Sequence, residues 1–279
     1  MLDTEFGNWI GRTEQCHGAF SSEAARKLSA TVGGTAAKTG APIPYLAHWC
    51  AFTPDTPMAG LAKDGHPNLG GFLPPIQLPR RMWAGGALEF YAPLHVGAEI
   101  SRHSTIAAVA QKDGAAGPMV FVTVTHELRE GDTLAIRETQ DIVYLDIPAE
   151  FSPPRTKPTP TTPALIEAVE VNEALLFRFS ALTFNAHRIH YDLPYAQNVE
   201  KYPGLVVHGP LQAMLLMQAA TSFAKRAPRK FRFRSVHPMF HFDDIHLFGT
   251  ETADGMTLCT GLVDGHQGMQ AEITWEDTL

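Results

Sequence analysis

The segment from Gly209 to Lys225 constrains the fold more than any other part of the chain. Pro210 suits the first turn of a helix. The run beyond it carries Leu211, Met214, Leu215, Leu216, Met217, Ala219, Ala220 and Phe223. At helical pitch these side chains fall on nearly every side, so the helix has to be buried all round. Gln212 and Gln218 interrupt it, and it is too short to span a bilayer. A curved antiparallel sheet wrapped round the helix meets that demand. Three strand-like runs follow it, punctuated by Asp254-Gly255 and Asp264-Gly265. Before it, Leu175 to Ala181 reads as a further strand.

The first half of the chain shares this layout more faintly. A modest helix is expected from Glu23 to Val32, after Ser21 and Ser22, followed by a long irregular segment rich in Pro and Gly. From Trp83 the pattern becomes strand-like. Val120, Val122 and Val124 alternate with Phe121, Thr123 and Thr125, and Asp113-Gly114 and Gly131-Asp132 supply turns. Six prolines fall within residues 148–163, a composition that makes a stiff, extended linker. The chain therefore reads as an α+β double hot-dog, two curved antiparallel sheets each wrapped around a long buried helix. The first occupies 1–147, the linker 148–163 and the second 164–279.

Composition excludes several classes. With 44% hydrophobic and 18% charged residues the chain can build an ordinary globular core. A net charge of −7 argues against general nucleic-acid binding. The three cysteines, Cys16, Cys50 and Cys259, are scattered and odd in number, so no disulfide framework is expected. The start, Met-Leu-Asp-Thr-Glu, lacks the basic and apolar regions of a secretory signal, and a cytoplasmic protein without membrane attachment is expected. Six of the ten residues from Lys225 to Arg234 are basic. That patch either binds a small anion or is a solvated strand face.

Phe179-Ser-Ala-Leu-Thr-Phe-Asn-Ala-His-Arg-Ile-His-Tyr-Asp192 carries the chemistry. Asn185 is the one Asp or Asn in the chain with a histidine, His190, five residues on. The segment resembles the active-site segment of MaoC-like hydratases acting on enoyl thioesters, where an acidic residue and a histidine have this spacing and an aspartate follows, as Asp192 does. Val206-Val-His-Gly209, opening the buried helix, resembles the family's second segment. Leu78-Pro-Arg-Arg-Met-Trp-Ala-Gly-Gly86 and Pro93-Leu-His-Val-Gly97 are similar to the first-domain signature of its two-domain branch. That branch holds mesaconyl-C4-CoA and itaconyl-CoA hydratases and mitochondrial 3-hydroxyacyl-thioester dehydratases.

The resemblance implies reversible hydration of an acyl thioester with no added cofactor, CoA being part of the substrate. His190 is the natural base, since imidazole titrates near neutrality. The N–H of Gly209, at an open helix start, is suited to hold the thioester oxyanion. Asn185 departs from the family's aspartate: it can orient water but cannot exchange a proton. The second proton then falls to His190, Asp192 or His187. Asp192 reads as structural, holding the loop through backbone N–H groups.

A carboxylated short acyl group would need a cation, for which Arg80, Arg81 and Arg188 are candidates, with His208 beside them. Lys230, Arg232 and Arg234 are candidates for the CoA phosphates. The first half lacks the Asn–His pair and is expected to shape the acyl pocket without catalysing, and the oligomeric state is open, a homodimer included. A dehydratase of longer acyl chains on CoA or acyl carrier protein, a hot-dog thioesterase and an inactive acyl-CoA binder remain alternatives. His237, His241 and Asp243 would share one face of a strand, yet no compact metal motif such as HExxH is present and no metal is expected. Gly33-Gly-Thr-Ala-Ala-Lys-Thr39 lacks the glycine a phosphate loop needs before its lysine, and neither GxSxG nor GxGxxG occurs.

Overall fold

The computed structural model describes residues 6–114 and 117–276. The first half contributes β1 (Thr13–Ala19), α1 (Ser22–Val32), β2 (Arg80–Phe90), β3 (Glu99–Gly114), β4 (Gly117–Glu130) and β5 (Thr133–Leu145). The second contributes β6 (Leu165–Val169), α2 (Glu173–Thr183), α3 (Leu193–Asn198), α4 (Gly209–Ala224), β7 (Pro228–Ser235), β8 (Ile245–Glu251), β9 (Gly255–Leu262) and β10 (Gln267–Trp275). The strands form one ten-stranded antiparallel sheet in the order β1-β3-β4-β5-β2-β7-β10-β9-β8-β6. The order reads the same from either edge if β1 is matched with β6, β2 with β7, β3 with β8, β4 with β9 and β5 with β10. Two five-stranded hot-dog sheets thus join at β2 and β7, where Gly86 lies opposite Phe233 and Leu88 opposite Phe231.

Helices α1 and α2 are the matched pair that the two halves share. Each has eleven residues and an N-cap whose side chain accepts a backbone N–H three residues on: Ser21 from Ala24, and Asn172 from Leu175. The strand expected over Leu175 to Ala181 is therefore helix. Its buried residues Leu176, Phe179 and Ser180 follow the i, i+3, i+4 rule of one helix face. A short apolar run does not reveal its period, and the Asn172 cap decides it.

The apolar helix is present as α4, with Leu211, Ala213, Met214, Leu216, Met217, Ala219 and Ala220 buried. It is not buried all round, however: its last turn reaches the surface, where Phe223 is 42% exposed. Four strands, not three, follow it: Pro228–Ser235 pairs with both β2 and β10 at the junction. In the first half the long helix has no counterpart. The irregular stretch 33–79 runs there, and its turn at Ala47–Cys50 lies in the core with Leu88 and Phe90. Glu138, on the same sheet face, anchors that turn by accepting from His48 Nε2 at 2.9 Å and Trp49 Nε1 at 2.9 Å. Burial would raise the Glu138 pKa, but the hydrogen bond and charge of His48 win and bring it down to about 2. The linker docks on the second half, where Thr159 N–H donates to Gly265 O at 3.1 Å. No helix of the described residues is long and apolar enough to cross a membrane.

Candidate active site

The loop between α2 and α4 builds the site. Phe184 ends α2 in the left-handed conformation (φ 49°), and Asn185 then turns the chain: its Oδ1 accepts the N–H of His187 at 3.0 Å. Arg188–His190 forms a single 3-10 turn that buries Ile189 and His190. His190 Nδ1 lies 2.7 Å from the carbonyl of Val206, which accepts its proton and leaves Nε2 with the lone pair. His208 stacks against the His190 ring at 3.6 Å and 19°, and its own Nε2 is 2.8 Å from Ser180 Oγ. Burial, with the neighbouring His208 and His187, holds His190 well below the usual histidine range. Burial brings His208 to about 3. Both rings are therefore neutral near pH 7, the state in which His190 can accept a proton.

One residue beyond His208, α4 begins without a side-chain cap. The N–H of Gly209 makes no hydrogen bond among the described residues, so it is an unclaimed donor at the positive end of a sixteen-residue helix. A Cβ at Gly209 would meet Ser235 Oγ at 3.5 Å and Trp83 O at 3.7 Å, ordinary contacts. The protein itself does not demand glycine here. The space a side chain would take belongs to whatever approaches the N–H.

The sequence candidates separate in space. His190, His208 and Gly209 are brought together, and Asn185 holds the loop that leads to them. Arg188 is committed elsewhere: its Nη2 donates to Asp192 at 2.7 Å, its Nη1 to Lys63 O at 3.0 Å, and it lies over the Tyr195 ring. Asp192 also accepts the Tyr195 N–H as the cap of α3, the structural role its sequence position suggested. Arg80 is buried, donates through Nε to Glu200 at 2.8 Å and lies over Tyr202. Arg81 is half-buried and forms no ion pair among the described residues. It faces Tyr144 across the β2–β5 register, and its charge reaches His66.

Arg232 and Arg234 are exposed while Phe231 and Phe233 are buried. Ser235, whose Oγ a Cβ at Gly209 would meet, shares the phenylalanines' face, so both arginines lie on the opposite side of the sheet from the helix start. Lys230 pairs with Glu89 at 3.2 Å. Residues 236–244 are not strand, and His237, His241 and Asp243 diverge: His237 packs on His266, His241 Nδ1 accepts from Leu205 N–H, and Asp243 from Phe240 N–H.

Three contributors went unrecognised in the sequence, two of them because they come from a distant segment. Asp64 and His66 lie in the irregular first-half stretch, where Asp64-Gly65 has the look of a simple turn. Gly65 has φ +94°, and a Cβ there would sit 1.8 Å from Ala186 O. This close approach seats the first-half loop against the active-site loop, and Arg188 N–H donates to Asp64 O at 2.9 Å. The third, Glu200, lies 3.8 Å from His187 Nε2, too far for a hydrogen bond. Asp64, His66 and His187 offer donor atoms within 4.8 Å of one another, a spacing that could admit a cation. The Asp64 carboxylate, however, already accepts from His66 Nδ1 at 2.9 Å and orients that ring.

The family model for hydroxyacyl-thioester dehydratase type 2 matches residues 46–241, a span that runs from the Trp49 turn through the Asn185–His190 loop and α4. The chain belongs to that family. A mesaconyl-C(4)-CoA hydratase from Chloroflexus aurantiacus is 42% identical over 276 residues, 98% of this chain and 99% of the relative. The mitochondrial hydroxyacyl-thioester dehydratase type 2 of Schizosaccharomyces pombe is 27% identical over 74% of this chain and 77% of its own. Among solved structures, a Mycobacterium tuberculosis protein described as having a double hotdog fold superposes with a TM-score of 0.62 at 14% identity, covering 95% of this chain and 96% of its own. As a member of this dehydratase family the chain is a MaoC-like double hot-dog hydro-lyase, and its Asn185–His190 loop lies inside the matched residues.

Proposed function

We propose that this hydro-lyase reversibly hydrates a short, branched enoyl-CoA bearing a free carboxylate, of the mesaconyl-C4 type. The observation that carries the reading is the free Nε2 of His190, fixed by the Val206 carbonyl and set beside the uncapped start of α4. Nε2 takes a proton from water as the water oxygen bonds to the β-carbon. The displaced π electrons reach the thioester oxygen, where the Gly209 N–H and the helix dipole hold the negative charge. Asn185 Oδ1 accepts the His187 N–H and so shapes the loop, while its second lone pair and its amide N–H groups are left to orient that water. The similarity to a mesaconyl-C(4)-CoA hydratase supports the substrate class, with itaconyl-CoA as a close variant. A buried substrate carboxylate needs a cation, and Arg81 is the candidate arginine left uncommitted.

A second reading, a dehydratase of longer 3-hydroxyacyl chains, is favoured by one feature. A cavity of about 270 Å³ lies along α4 beyond Gly209, lined by Leu28, Val32, Tyr45, Met214 and Met217. Hydration rates on mesaconyl-C4-CoA, itaconyl-CoA, crotonyl-CoA and a C10 enoyl-CoA separate the two. The dicarboxylic substrates are expected to give the highest kcat/KM, and equal or faster turnover of the C10 thioester would overturn the short-chain reading.

A further inference from the structure

Hydration delivers a proton to the α-carbon, and Asn185 cannot carry it. The first-half loop brings a second acid–base group to the site. Asp64 Oδ2 accepts from His66 Nδ1 at 2.9 Å, and Oδ1 accepts the His66 backbone N–H at 3.0 Å. The backbone bond alone would hold the turn with any residue at position 66. The bond to the ring does something else: it fixes the tautomer and leaves Nε2 as the free nitrogen. The His66 ring is 4.2 Å from that of His187, and the His187 ring is 5.5 Å from that of His190. Three imidazoles therefore form a continuous contact chain that ends on a carboxylate.

We propose that this chain is a proton relay in which His190 takes the proton from water, His187 passes it on, and His66, backed by Asp64, delivers it to the α-carbon. This inference rests on the hydratase reading. The balance closes on one proton. A water O–H bond breaks as the C–O bond forms at the β-carbon, and the proton rests on His190 Nε2. After transfer through His187 it resides on His66, where the adjacent carboxylate stabilises the transient cation. The enolate re-forms the thioester carbonyl, and its electron pair at the α-carbon takes the proton from His66 Nε2. His190 and His66 gain and lose the proton at the same Nε2 and return to their starting state. His187, which accepts on one ring nitrogen and releases from the other, must reset its tautomer before the next turnover. Dehydration runs the same steps backwards, with His66 as the base. Burial, against the opposing hydrogen bond to Asp64, keeps His66 at about 4, so its resting form is the neutral one that this cycle requires. Asp64 stays ionised, because the hydrogen bond and charge of His66 outweigh its own burial.

The test uses His66→Gln, whose amide can still donate to Asp64 but cannot transfer a proton, with His66→Ala and Asp64→Asn alongside. On whichever enoyl-CoA the wild type hydrates, His66→Gln is expected to lower kcat by ~10²-fold, with KM changed less than about twofold. Added imidazole is expected to restore activity to His66→Ala, which a purely structural role would not allow. A folded His66→Gln protein with wild-type kcat would overturn the relay alone, as would a slow His66→Ala protein that imidazole leaves unimproved. A wild type inert on every enoyl-CoA would overturn the hydratase reading first and the relay with it.

Discussion

His208 lies flat against His190, the two rings 3.6 Å apart and 19° from parallel, while Ser180 holds the far ring by its Nε2. His190 is thus clamped on two sides, by a carbonyl at Nδ1 and by a stacked ring. Replacing His190 with Ala is expected to lower kcat by ~10²-fold or more. His208→Phe keeps the stack but not the Ser180 bond, and is expected to stay within about tenfold of wild type. Steady-state kinetics on circular-dichroism-checked proteins decide. A loss for His208→Phe as deep as for His190→Ala would mean that His208 itself handles protons.

The buried and half-buried histidines make stability depend on pH. His66 and His126 are brought to about 4, and His208 to about 3, chiefly by burial, and His190 is also well below its ordinary value. In the unfolded chain the same rings titrate near 6.5. Between the folded and unfolded values the unfolded state binds more protons, so stability rises with pH there. The sign is that of a lowered folded pKa in a base: full stability above about 6.5, progressive loss as pH falls towards 4. Each ring contributes up to about 1.4 kcal/mol per pH unit in that window. Tm is expected to drop steeply from pH 7 to 5 in thermal melts, and a flat Tm over that range would contradict the neutral assignment.

Asn185 is expected to tolerate Asp and to resist Ala. A carboxylate oxygen can accept the His187 N–H as the amide oxygen does, whereas alanine leaves that donor without its partner. Asn185→Asp should keep the wild-type melt and measurable hydration. Asn185→Ala should lose about 1 kcal/mol of stability and ~10-fold in kcat, as the loop carrying His187 and His190 loosens. Full kcat in the alanine variant would remove Asn185 from the machinery.

The wrapped fold was legible in the apolar helix that begins at Gly209, because a short helix with no polar face admits few environments. The placement of His190 beside the helix start at Gly209 was legible from the two motifs that carry them. The run Leu175–Ala181 was not, since its residues suit both strand and helix and the decision lies outside it, in the Asn172 cap. Nor was the missing first-half helix: pseudo-symmetry between halves is a property of backbone course, and residues 33–79 keep the position without the pattern. Asp64 and His66 stayed hidden for a different reason. They reach His187 from more than a hundred residues away, across a contact that only Gly65 allows.

The basic cluster shows the same limit from the other side. Its alternation with Phe231 and Phe233 correctly put Arg232 and Arg234 in solvent, but alternation does not say which face holds the site. Both lie across the sheet from Gly209, and Arg234 is held by Gln270 at 2.7 Å. The double reversal to Glu is therefore expected to change KM by less than about twofold at moderate salt, where screening weakens distant charge. A KM rising tenfold or more would place the CoA phosphates on this face.

The arginine pair on β2 offers the sharpest division between stability and recognition. Arg80 is buried against Glu200, which is itself 1% exposed and which also borders His187. Burial would raise the Glu200 pKa, yet His187 and Arg80 together hold it below the usual carboxylate range, so the acid stays ionised. Removing the guanidinium would strand that charge, and Arg80→Met is expected to cost about 3–5 kcal/mol of stability whatever the substrate. Arg81 is the next residue along the strand, and its side chain takes the other face, towards Tyr144 and His66. With no carboxylate of the described residues paired to it, Arg81→Met should leave the melt nearly unchanged. It should raise KM for mesaconyl-C4-CoA by ~10-fold or more, the value of one charge-assisted hydrogen bond, and leave crotonyl-CoA, which lacks the carboxylate, unaffected. The ratio of the two substrates' kcat/KM in wild type and Arg81→Met is the measurement. Equal losses on both would assign Arg81 to CoA or to the fold, and the cation for the substrate carboxylate would have to be sought among the histidines.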